Sequence, residues 1–155
     1  MLRISKLADY ATVVMAFMGQ APFELRSAQE IATAVGLELP TVSKVLKRLA
    51  RGRLVVSQRG AKGGYRLARV PGEISVAEII DVIEDYPMGL TECSSVAGSC
   101  ARESACAVRA NWQRISAMLR ATLQEVTLEE LARPLPQAVD AGSEHFHSRE
   151  VAMSG

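Results

Sequence analysis

The chain has 155 residues, is 48% apolar and 23% charged, and carries a formal net charge of +1. That length supports one buried core, or one small domain with an extension, and argues against a two-domain enzyme. The opening MLRISKLADYATVVMAFMGQ is interrupted by Arg3, Lys6 and Asp9, which suits neither a secretory leader nor a membrane span, so a cytoplasmic protein with no membrane partner is expected. In a reducing compartment a disulfide framework is disfavoured, and the odd count of three cysteines would leave one thiol over.

The small net charge conceals an asymmetry. Residues 1–69 hold twelve Lys/Arg against four Asp/Glu, a net of +8, and residues 70–155 hold six against thirteen, a net of −7. Between 39 and 72 there are nine basic residues and no acid, which marks a polyanion-binding surface unless the block is merely a solvated face.

In chain order, Leu7, Tyr10, Ala11, Val14, Phe17 and Met18 recur at helical spacing over residues 5–19, and the Gly19 to Pro22 stretch ends that helix. The run SAQE, Ser27 to Glu30, has the form of a capping box opening a second helix. Gly36 then turns the chain, and Pro40 suits the first turn of a third helix running to about Ala50. Val42, Val45, Leu46 and Leu49 form its apolar stripe, leaving Thr41, Ser43, Lys44, Lys47, Arg48 and Arg51 on the open side. Two short helices around a Gly turn predict a helix-turn-helix, although ordinary bundles also contain such pairs.

The next segment favours the first alternative. RLVVSQRGAKGGYRLAR predicts two strands joined by RGAKGG, a hairpin whose glycines supply positive φ and whose tip carries Arg59 and Lys62. The predicted fold is therefore mainly α with a small β wing: a winged helix-turn-helix followed by a long helix. The third helix would enter the major groove of double-stranded DNA while the wing holds phosphates.

After Pro71-Gly72, a second capping box, SVAE at 75–78, opens a helix bearing Val76, Ile79, Ile80 and Ile83. It leads into CSSVAGSCARESAC, which holds all three cysteines, Cys93, Cys100 and Cys106, among Ser, Ala and Gly. Soft thiolates select iron-sulfur clusters, zinc or Cu(I), and the close C-x-x-C pairs common in zinc sites are absent. Unliganded or redox-switching thiols are the alternative. Val108, Trp112, Ile115, Leu119, Thr122 and Val126 then alternate spacings of four and three, the a/d seam of a dimerisation helix or else a core stripe. TLEE at 127–130 starts a short last helix, and from Arg133 no periodicity remains, which predicts disorder. Three regions result: 1–72 for DNA binding, 73–132 for the thiol loop and dimerisation, and 133–155 as a tail. An enzyme is disfavoured, because the only histidines, His145 and His147, fall in that tail and neither a triad nor a phosphate-cradling pattern occurs.

Together, LRISKLADYA, VSKVLKRLARGRLVVSQRGAKGGYRLAR, SVAEIIDVIE and the cysteine loop resemble the Rrf-type iron-sulfur transcription regulators, the IscR- and NsrR-like family, over residues 1 to about 132. The opening stretch is most similar to the branch that regulates SUF cluster-assembly genes. The resemblance implies a homodimeric repressor on an imperfect palindrome, with no small-molecule substrate. Its DNA contacts would be Ser27, Thr41, Ser43, Lys44, Lys47, Arg48, Arg59, Lys62, Gly63 and Tyr65. It also implies a 2Fe-2S or 4Fe-4S cluster on Cys93, Cys100 and Cys106. IscR-like members place a His three residues after the last cysteine, where this chain has Arg109, which stays protonated and cannot ligate. NsrR-like members complete the site with an N-terminal Asp from the other subunit, a position matched by Asp9; Glu92 and Glu103 are the local alternatives. A nitric-oxide or redox-responsive repressor, or a thiol switch without a cluster, are the competing functions.

Overall fold

Helix α1 (Lys6–Gly19) begins where the Ser5 hydroxyl accepts from the Ala8 amide, in a computed structural model that describes residues 4–134. The tail predicted from 133 lies outside the described residues beyond 134. Ala8, Ala11, Val14, Met15 and Met18 give α1 a wholly buried face, and it packs against all four of α2 (Ala28–Val35), α3 (Leu39–Arg51), α4 (Val76–Glu84) and α7 (Leu128–Ala132).

The helix-turn-helix is built as its punctuation predicts. Ser27 Oγ accepts from the Glu30 amide at 3.2 Å while Glu30 Oε2 accepts from the Ser27 amide at 2.7 Å, closing the capping box. Those hydrogen bonds, the backbone one foremost, hold the Glu30 carboxyl below its ordinary range. Gly36 then adopts φ +68°, the left-handed conformation that ends α2 without a side-chain penalty. Val42, Val45, Leu46 and Leu49 of α3 are fully buried.

Strands β1 (Val55–Gln58) and β2 (Gly64–Leu67) pair antiparallel, with Val55 opposite Leu67 and Gln58 opposite Gly64. Of the glycines in the turn, Gly60 takes positive φ (+122°). The other two are needed for space instead: a Cβ on Gly63 would lie 2.5 Å from the Gln58 carbonyl oxygen, and one on Gly64 2.5 Å from that of Arg26. The second approach exists because Tyr65 exchanges backbone hydrogen bonds with Arg26 at 2.8 and 3.0 Å, tying the wing to the entry of α2.

The second predicted capping box forms by half. Ser75 Oγ accepts from the Glu78 amide, but the Glu78 carboxylate turns to Arg69 instead of returning to the cap. Beyond α4, a short α5 (Glu92–Ser95) and a 3-10 turn (Glu103–Ala105) lead to α6 (Arg109–Glu125). Val108 therefore precedes α6 as its N-cap and is not part of the helix. The chain returns through Val126, whose carbonyl accepts from Val76, and Leu128, whose amide donates to Ile74, so the last helix closes onto the start of α4. One buried cluster thus runs from Ala8 to Leu128 and draws on both halves of the chain.

Gly64→Ala should lower stability by ~1–3 kcal/mol, because backbone on both sides of the approach must move. A thermal melt against Gly72→Ala, where a Cβ would meet only the end of the Glu129 side chain at 3.3 Å, checks that the effect arises from the wing's seam with Arg26.

Candidate nucleic-acid interface and thiol loop

Because its apolar stripe is spent on the core, α3 turns its remaining side chains outward. Lys44, Lys47 and Arg51 are exposed, and Thr41 and Ser43 are half-buried at the same surface. Arg59 and Lys62 are exposed at the wing tip. Ser27, Gly63 and Tyr65 are held by structural bonds: Ser27 caps α2, Gly63 donates to the Gly60 carbonyl at 2.9 Å, and Tyr65 pairs with Arg26 while packing on the core. Arg26, which the sequence does not single out, stacks over the Phe17 ring at 4.6 Å and pairs with Glu24 at 2.7 Å.

Arg48 departs from its expected place. Its guanidinium donates to the Ile83 carbonyl and sits 3.3 Å from Asp85, so it faces α4 and not the open side of α3. Position 48 follows Val45 by one turn and adjoins Leu49, which sets it at the edge of the buried stripe where α4 lies.

The thiol loop hangs from α4 and α6. Met88 N donates to Asp81 at 2.8 Å and Leu90 N to Ser116 Oγ at 3.0 Å, fixing the chain just before α5. Cys93 is buried, with Thr91 Oγ1 3.3 Å from its sulfur, whereas Cys100 and Cys106 are half-buried; all three are free thiols. Gly98 takes φ +81° at the bend between them. Glu103, nearly buried, accepts from Gly98 N at 2.6 Å and pairs with Arg109 at 2.5 Å. Arg109 is therefore a clasp across the loop, and it engages the carboxylate that was a local ligand candidate. Asp9 and Glu92 are exposed. Among the described residues, no three His, Cys, Asp or Glu side chains converge as a metal ion requires.

Along α6, Trp112, Ile115 and Met118 are 41%, 39% and 64% exposed, and Val108 just before it 49%. Thr122 is exposed and Leu119 half-buried. Val126 turns inward and packs on the core, so the apolar strip is shorter than the heptad pattern predicts and includes Met118, which that pattern omits. The opposite side of α6 holds the body through Ser116, Leu123 and Arg120, whose guanidinium binds Asp81 at 2.5 and 2.7 Å. That carboxylate raises Arg120 further above its ordinary pKa. No helix among the described residues is long and apolar enough to cross a membrane.

The geometry agrees with what known proteins show. The model of the Rrf2 family, described as iron-dependent transcriptional regulators, matches residues 4–134. The HTH-type transcriptional regulator IscR of Salmonella agona is 31% identical over 125 residues, spanning 81% of this chain and 75% of that protein. Among solved structures, CymR, the global cysteine regulator of B. subtilis, aligns at TM-score 0.64 and 30% identity over 85% of this chain and 97% of its own. IscR of T. potens aligns at TM-score 0.63 and 27% identity, covering 84% and 85%. Mainly helical, with a basic wing and a helix-turn-helix, this chain is a DNA-binding transcriptional regulator and not an enzyme, and it belongs to the Rrf2 family.

Proposed function

We propose that the chain is a cytoplasmic homodimeric repressor that binds an imperfect palindrome and senses iron-sulfur cluster status through Cys93, Cys100 and Cys106, controlling SUF cluster-assembly genes. The observation that carries the proposal is the thiol loop itself. Three free thiols lie on one short segment with small neighbours, pinned by hydrogen bonds to the helix behind DNA-facing α3 and to the apolar-striped α6. The donors fit the chemistry of a cluster, since thiolates are its usual protein ligands and the basic half of the chain lies elsewhere. Holding a cluster would require the loop to draw the sulfurs together, with a fourth ligand other than Glu103, which Arg109 and Gly98 already engage. Exposed Asp9 of a partner subunit suits that role better than Glu103, with Glu92 as the remaining local choice. A bound cluster supplies a centre that oxidants, nitric oxide or iron loss can dismantle. The chain's own contribution is to transmit the loop's state through Leu90 to Ser116 and through Met88 to Asp81.

A thiol switch without a cluster is the second function that the structure favours, through the partial exposure of Cys100 and Cys106. Anaerobically purified protein separates the two by its visible absorption. A coloured protein whose chromophore is lost in each of Cys93→Ala, Cys100→Ala and Cys106→Ala supports the cluster, whereas a colourless protein that forms a disulfide on oxidation supports the switch.

The DNA face generates a measurement of its own. Lys62 at the wing tip meets phosphate and carries no base information. Lys62→Ala should therefore weaken all duplexes alike and reduce the slope of log affinity against log salt by about one. A salt titration by fluorescence anisotropy reads it.

For the dimer, the partner surface proposed is the strip Trp112, Ile115, Met118 and Leu119. Lysines at Ile115 and Leu119 place repelling, hydrated charge at its centre, so the double variant should sediment as a monomer at micromolar concentration and lose tight binding to the palindrome. A folded dimer in that variant would put the interface elsewhere.

A further inference from the structure

Arg48 sits on the DNA-facing helix but spends its charge on the helix behind it. Its guanidinium donates to the carbonyl of Ile83 and lies 3.3 Å from Asp85, the last-turn residue and the C-cap of α4. The end of a helix presents unpaired carbonyls and partial negative charge, so a guanidinium there satisfies an acceptor that would otherwise need water. Asp85 is held at φ +64°, a left-handed conformation that directs the chain into residues 86–91 and on to the thiol loop. One residue past α3, Gly52 leaves no room for a side chain, because a Cβ there would run into both γ-methyls of Val82. The end of α3 is thus docked on the last turn of α4 by a close apolar contact and a charge-assisted clamp.

The same turn of α4 carries a second clamp. Asp81 takes both guanidinium nitrogens of Arg120 from α6 and also accepts from Met88 N. Asp81, in the last turn of α4, and Asp85, its left-handed C-cap, line one surface cleft together with Arg48, so their like charges lie within each other's field. Each is relieved by an arginine from a different element, Arg48 from α3 and Arg120 from α6. Displacing either arginine leaves two neighbouring carboxylates less compensated, so the position of α3 and that of α6 are coupled through one short stretch of α4.

We propose that Arg48 is a positioning residue that sets the DNA-facing helix against α4, and that the Arg48–Asp85 and Asp81–Arg120 pairs carry the state of α6 and the thiol loop to that helix. The proposal rests on α3 being the helix that meets DNA, as put forward above. It is distinct from a base-reading role for Arg48, in which the guanidinium would leave α4 and enter the groove.

The test uses the full chain, a duplex selected by the wild type from a randomised library, and five variants confirmed as folded by thermal melting. Asp85→Asn removes the negative charge while keeping a residue that tolerates the left-handed conformation. Loss of an anion should by itself favour DNA. If Asp85 acts through Arg48, affinity should instead fall about three- to tenfold in Arg48→Ala and in Asp85→Asn, evenly across base positions. The double variant should be no weaker than the weaker single one. Loss of preference at one base position in Arg48→Ala, with Asp85→Asn binding as tightly as wild type or more so, would overturn the proposal in favour of direct base reading. Lys44→Ala and Arg59→Ala, measured alongside, guard the underlying assumption. If neither weakened binding, α3 and the wing would not be the DNA face and both proposals would fall; if both weaken it, the outcome at Arg48 and Asp85 decides this proposal alone.

Discussion

Burial of α1 on several sides at once is the constraint on which the rest of the structure depends. Its Ala8, Ala11, Val14, Met15 and Met18 are shielded by α2, α3, α4 and α7 together, so no one of those helices can shift without disturbing the surface the others share. Small Ala8 and Ala11 permit close approach, and the longer Met15 and Met18 fill the wider gaps farther along the helix. Because α1 sits between the helix-turn-helix and the elements that lead to the thiols, the two ends of the molecule share a core. That is why the separation into regions 1–72 and 73–132 describes the order of elements better than it describes the packing.

The helix-turn-helix and wing were legible because each boundary there is local chemistry. Ser27 with Glu30, left-handed Gly36 and the turn at Gly60 act within a few residues of themselves, and the stripe Val42, Val45, Leu46 and Leu49 follows from helical period alone, whereas Gly64 answers to the distant backbone of Arg26. Where a side chain had a distant partner, the pattern failed. SVAE has the form of a capping box, but Arg69, nine residues before Glu78, takes that carboxylate. Arg48 sits on a basic helix face, yet Ile83 and Asp85 claim it. Val126 continues a heptad seam, yet the return of the chain to α4 draws it inward. None of these partners is encoded by spacing.

The thiol loop was legible in donor type and illegible in geometry. Three cysteines among small residues identify a segment able to wrap an object, but the order of the loop comes from Glu103, which joins Gly98 to Arg109 across the bend. A carboxylate so nearly buried is stable there only because a cation and a backbone amide compensate it. Arg109 thus does something that the residue's inability to ligate metal conceals: through Glu103 it ties the start of α6 to the bend at Gly98.

The opposed charges of the two halves join these observations. A net of +8 in residues 1–69 favours approach of a polyanion to the half of the chain that carries the proposed DNA-facing helix and wing, while a net of −7 over residues 70–155 disfavours its contact with the rest of the chain. The polarity orients the encounter before any specific contact forms, and it also bears on the joint between α3 and α4. Asp81 and Asp85 lie on the acidic side of that division, and the arginine that neutralises Asp85 comes from the basic side. With α3 as the proposed DNA-facing helix, approaching phosphates would compete with Asp85 for the field of Arg48, so that binding and the seating of α3 on α4 would draw on the same charge. Two demands on one guanidinium make the joint sensitive to small displacements. In the coupling proposed above, this is the place where a shift of the thiol loop or of α6 would alter how firmly α3 is held.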